Sequence, residues 1–75
     1  MRGEEYEILR LLGVLNGTRG NHPQAIQYFQ KAVNKEPKNA QALFNLSAAL
    51  QYGGDTEGSQ RYLQQARVID PNIGK

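Results

Sequence analysis

Seventy-five residues with no cysteine and one histidine leave room for one small domain, and exclude disulfide staples and metal sites built on thiolates or paired imidazoles. Nine Lys and Arg against seven Asp and Glu give a net charge of +2, spread evenly over the two halves, so no concentrated basic face points to nucleic acid. The apolar stretch Ile8 to Leu15 is broken by Arg10 and too short to span a bilayer, and Glu4, Glu5 and Glu7 ahead of it do not suit a signal peptide, which makes a cytoplasmic protein the default expectation.

A first helix is predicted from about Glu4 to Thr18, with Ile8, Leu9, Leu11, Leu12 and Leu15 at helical spacing and glutamates favouring its N-terminal dipole. Arg19-Gly20 stops it, because glycine takes the left-handed conformation at low cost. Asn21 is expected to cap the second helix in a capping box with Gln24, while Pro23 occupies the first turn, where a missing N–H costs nothing. His22 reads as a helix-start residue. This helix runs to about Lys35, with Ala25, Ile26, Phe29, Ala32 and Val33 on one stripe, and Pro37 closes it. Asn39 then caps a third helix to about Tyr52, Gly53-Gly54 ends it, Asp55 caps a fourth helix to Ile69, and Asp70-Pro71 closes the chain's second half.

The second half repeats the first. A shift of 34 residues aligns Tyr6–Asn39 with Ala40–Ile73, and seven of the 34 pairs are identical: Leu9/Leu43, Leu12/Leu46, Gly20/Gly54, Tyr28/Tyr62, Gln30/Gln64, Ala32/Ala66 and Pro37/Pro71. Average composition yields roughly two matches by chance. The matches fall on apolar anchors, a turn glycine and a terminating proline, the positions that define a supersecondary unit. Each copy is a helix–turn–helix, and four helices joined by short turns pack antiparallel to their neighbours.

This pattern resembles the tetratricopeptide repeat family. The first copy supplies Leu9, Leu12-Gly13, Asn16, Ala25, Phe29, Ala32 and Pro37; the second supplies Leu43, Leu46-Ser47, Leu50, Ser59, Leu63, Ala66 and Pro71. The departures are the missing Trp, Asn16 at a usually aromatic site and Ser59 where alanine is usual. The resemblance implies an all-α fold in one domain, residues 1–75, with repeats over about 6–39 and 40–73. Its four antiparallel helices would form a short right-handed superhelical segment. The implied function is a non-enzymatic protein–protein interaction module.

In that family the first helices of successive repeats line a groove that holds an extended peptide or a helix. The corresponding positions here are Glu7, Arg10, Leu11, Val14 and Thr18, then Gln41, Phe44, Asn45, Ala48 and Tyr52. Asn45 matches a site that often presents an asparagine to a peptide backbone, and an amide both donates and accepts. Arg10 matches a basic position of members that clamp a C-terminal carboxylate, but Val14 stands where the accompanying asparagine belongs, which disfavours a clamp. Leu11, Val14, Phe44 and Tyr52, rimmed by Arg10, Asn45 and Gln51, suggest instead an apolar groove for an amphipathic helix or hydrophobic peptide. Leu11 and Val14 read equally well as packing residues. Tyr28 and Tyr62 recur in register and read as packing residues.

The two ends of the chain differ. Ile26 and Val33 should reach forward onto the second repeat, and their counterparts Gln60 and Arg67 are polar, which reads as a terminus carrying its own cap. The first helix is apolar over more than one stripe, so Ile8, Leu11, Val14 and Leu15 form a candidate self-association face and a homo-oligomer is possible. Binding of a protein partner is the first functional expectation and self-association the second. RNA binding rests only on the scattered Arg19, Lys31, Lys35, Lys38, Arg61 and Arg67 and is disfavoured. No nucleophile–base pair, phosphate loop or paired carboxylates stand out, so neither catalysis nor a cofactor is expected.

Overall fold

Glycine and proline punctuate the chain where the sequence places them. The computed structural model describes residues 2–75, which form α1 (Arg2–Thr18), α2 (His22–Lys35), α3 (Ala40–Tyr52) and α4 (Thr56–Ile69). α1 and α3 end in the same way, on Gly20 (φ 79°) and Gly54 (φ 95°). In each case the residue after the glycine donates back to the helix, Asn21 N–H to Asn16 O at 2.8 Å and Asp55 N–H to Leu50 O at 2.8 Å. This pair of bonds, with Gly20 N–H to Gly17 O and Gly54 N–H to Gln51 O, is a Schellman turn built twice. α2 and α4 end ahead of Pro37 and Pro71. The preceding residues, Glu36 and Asp70, leave the helical region at φ −136° and −132°, as expected of a residue before proline.

The helix starts are less uniform. Asn39 Oδ1 accepts from Ala42 N–H and Asp55 Oδ1 from Gly58 N–H, capping α3 and α4 as expected. The capping box expected of Asn21 and Gln24 is not formed. Asn21 makes no side-chain cap bond; its amide donates instead to Asn16 Oδ1 at 3.4 Å. Pro23 explains this in part, because it occupies one of the two positions whose N–H such a cap would bond.

Each helix packs antiparallel on the next, α1 on α2, α2 on α3 and α3 on α4. The radius of gyration, 11.3 Å, is that of a fully packed chain of this length. The core contains Tyr6, Ala25, Phe29, Ala32, Val33, Ala42, Leu43, Leu46, Ala49 and Ala66, with Leu9, Ile26, Phe44, Leu50, Tyr62 and Ile73 half-buried against it. Tyr6 is the anchor that the repeat pattern misses, because its counterpart in the second copy is Ala40. Burial pushes its hydroxyl pKa upward, and the nearby Glu36 adds to the shift. At the same end, Lys35 Nζ lies 2.8 Å from Glu5 Oε2, tying the end of α2 to the start of α1 and holding the Glu5 carboxyl below its ordinary pKa.

Ile26 and Val33 are buried wholly or in part between α2 and the second repeat, whereas Gln60 and Arg67 on α4 are exposed, as their polarity predicts. Among the described residues, no helix is long and apolar enough to cross a membrane. Three of the basic side chains have partners: Lys35 is paired with Glu5, Arg61 lies 4.0 Å from Glu57, and Lys31 sits over the Tyr28 ring.

Candidate docking cleft

Where α1 passes α3, small residues leave the space between the helices unfilled. α1 presents Gly13 and Gly17, and α3 presents Ala48 and Ala49. The space between them is a cleft of about 480 Å³ whose floor includes Ala25 and Phe29 of α2. Gly13 is required by this floor: a Cβ there would lie 2.5 Å from Phe29 Cε1, well inside van der Waals contact. One end is bounded by His22 and Tyr52, whose rings stack at 6.0 Å between centroids and 12° between planes. Val14, Thr18, Gly20 and Asn45 complete the lining.

The lining of the cleft is mostly apolar. None of its lining residues is Asp, Glu, Lys or Arg. The Thr18 hydroxyl is spent on Val14 O at 2.8 Å, so it offers little to a ligand as a donor. Asn45 Oδ1 accepts weakly from Gln41 Nε2 at 3.5 Å, and the Asn45 amide N–H groups have no protein partner among the described residues. Asn45 is therefore the side chain best equipped to pair with a backbone amide, amid apolar Val14, Ala48, Phe29 and the face of Tyr52.

Of the ten positions read from the sequence as groove residues, Val14, Thr18, Asn45, Ala48 and Tyr52 line the cleft. Glu7, Arg10, Leu11, Gln41 and Phe44 do not. Arg10 is drawn to Glu7, which accepts from its Nε at 2.7 Å. Leu11 lies further round α1 and is exposed, and Gln41 is exposed one turn before Asn45. Phe44 corrects the expectation of an exposed groove aromatic, because it is half-buried against the core. The segment after α4 covers it: a Cβ on Gly74 would lie 3.0 Å from Phe44 Cε1, and Arg67 Nε donates to Ile73 O at 3.4 Å to hold that segment in place. The sequence reading also missed His22 and Phe29 as cleft residues. Phe29 was legible as a core anchor, but the gap above it depends on how α1 and α3 diverge. Nothing in the repeat marks His22, whose counterpart is Thr56.

The comparisons with known proteins agree with the helical plan. A tetratricopeptide repeat family model matches residues 18–73. The chain is 35% identical over 65 residues to a probable biofilm formation methyltransferase, WspC, of Pseudomonas aeruginosa, and 38% identical over 55 residues to the protein of that description from Pseudomonas putida. These alignments cover 87% and 73% of the present chain but only 15% and 13% of those proteins. With two helix–turn–helix units in register and the family pattern running through them, the chain belongs to the tetratricopeptide repeat family.

Proposed function

We propose that this domain is a protein–protein interaction module that takes a segment of its partner into the cleft between α1 and α3. The observation that carries the reading is the lining: mostly apolar and without Asp, Glu, Lys or Arg, with the Asn45 amide N–H groups unpartnered among the described residues and able to pair with a backbone. Such a surface suits an amphipathic helix or an extended apolar peptide anchored by one or two large side chains. It does not suit a terminal carboxylate, because Arg10 is engaged by Glu7 and contributes nothing to the lining. In a protein of the relatives' description, the module's part would be to bring a protein partner to the methyltransferase, the chemistry residing elsewhere in that chain.

The test is selection of binders from a displayed library of amphipathic and apolar peptides, followed by affinity measurements on variants. Ala48→Phe, which fills the cleft, should abolish binding of the selected peptides, and Asn45→Ala should weaken it by about tenfold, the loss of one well-placed hydrogen bond. Binders that tolerate both substitutions would place the docking surface elsewhere.

A further inference from the structure

The outer face of α1, turned away from α2, is apolar and uncovered. Ile8 is 56% exposed, Leu11 53% and Leu15 45%, and with half-buried Leu12 they fall in a stripe of roughly 100° around the helix. The corresponding residues of α3, 34 positions on, are Ala42, Asn45, Leu46 and Ala49, and there α2 packs against the helix and all but Asn45 are buried. The fold thus covers this face with a helix where it recurs. The covering helix on α1 must differ from α2, however. α3 carries Ala42 and Ala49 where α1 carries Ile8 and Leu15, so a helix as bulky as α2 would meet bulk with bulk on α1.

The stripe is complementary to itself. About the midpoint between Leu11 and Leu12, Ile8 mirrors Leu15, and Glu4 mirrors Arg19. Arg19 follows the last residue of α1, yet its N–H still donates to Leu15 O at 3.2 Å, so it continues the helical path. Glu4 and Arg19 are exposed, and neither forms an ion pair among the described residues, whereas Glu5 is held by Lys35 and Glu7 by Arg10. Two antiparallel copies of this helix would bring each unpaired carboxylate beside an unpaired guanidinium.

We propose that α1 is a homodimerisation helix, pairing antiparallel with α1 of a second copy about a two-fold axis near Leu11 and Leu12. Ile8 of each copy packs on Leu15 of the other, and Glu4 pairs with Arg19. The arrangement is isologous and closes at two. Head-to-tail stacking is disfavoured, because α4 exposes Gln60 and Arg67 where α2 carries Ile26 and Val33. α1 meets the docking cleft through Gly13, Val14, Gly17 and Thr18, none of which belongs to the stripe, so the pairing does not depend on the docking reading.

Sedimentation equilibrium of the full chain from micromolar to millimolar concentration tests the pairing. A single helix pair is at the small end of specific interfaces, so a dimer of micromolar rather than nanomolar strength is expected. Leu11→Glu with Leu15→Glu should leave a folded monomer at every concentration, with unchanged helical circular dichroism. Glu4→Arg and Arg19→Glu should each weaken the dimer by about threefold to tenfold, and the two together should restore it. A parallel pair would set like charges together in every one of these chains and show no restoration. A chain that stays monomeric throughout, reversals that add instead of cancelling, or a dimer indifferent to Leu11 and Leu15 would each overturn the proposal.

Discussion

In the first repeat α1 meets α2 through Gly13, whose missing Cβ makes room for Phe29, a side chain only 7% exposed. In the second repeat α3 brings Ser47 to the same place, opposite the smaller and half-buried Leu63. There the helices are joined by a buried hydrogen bond, Ser47 Oγ to Ser59 O at 2.8 Å, with the two hydroxyls 3.1 Å apart. Ser59 stands where the first repeat has Ala25. One repeat closes by volume, with a large ring against no side chain; the other uses two hydroxyls that satisfy each other. In each repeat the small residue at this position faces a matched neighbour on the second helix, and the departure from the family pattern at Ser59 is paired with Ser47.

Deleting the ring should separate the repeats most clearly. Phe29→Ala is expected to cost about 3–5 kcal/mol of stability, and Leu63→Ala about 1–2 kcal/mol because Leu63 is only half-buried; urea unfolding reads both. Gly13→Ala drives a methyl group into the Phe29 ring and should cost about 1–3 kcal/mol. Adding Phe29→Leu should then cost less than it does alone, since it gives the first repeat the second repeat's volume. If the two losses simply add, Gly13 and Phe29 are not coupled and the comparison fails.

Ser47→Ala should cost about 1–2 kcal/mol by stranding polar groups of Ser59, while Ser47→Ala with Ser59→Ala should fall well short of the summed single losses. The caps offer a smaller contrast. Asp55→Ala should destabilise by about 1 kcal/mol, but Asn21→Ala by only a few tenths, because Asn21 makes no side-chain cap bond. The smallest effect belongs to the Glu5–Lys35 pair. The folded Glu5 carboxyl titrates below its unfolded value, so the pair stabilises at neutral pH and loses that contribution as the pH falls through the acid carboxylate range. Comparing acid unfolding with Lys35→Met should show a slightly shallower pH dependence in the variant.

Most of the helix plan was legible because its signals are local. Gly20 and Gly54 adopt positive φ, the residues before Pro37 and Pro71 leave the helical region, and Asn39 and Asp55 bond to amides three residues on; each depends on a few neighbouring residues. The features that escaped join distant parts of the chain. Asn21 looks like a cap until Asn16 takes its amide. Phe44 looks like an exposed groove residue until the turn around Ile73 and Gly74 folds back over it. Tyr6 is buried although the period offers no counterpart for it.

The 34-residue repeat by itself determined the number of helices, their turns, their antiparallel order and the apolar stripe of α2, because period, glycine and proline act within one or two turns of backbone. Only the tertiary structure decided which apolar residues of α1 are covered, where the cleft opens and which side chains line it. Those outcomes depend on the distance between helices, and that distance is set by the volumes of residues that meet only after folding, Gly13 on Phe29 and Ser47 on Ser59.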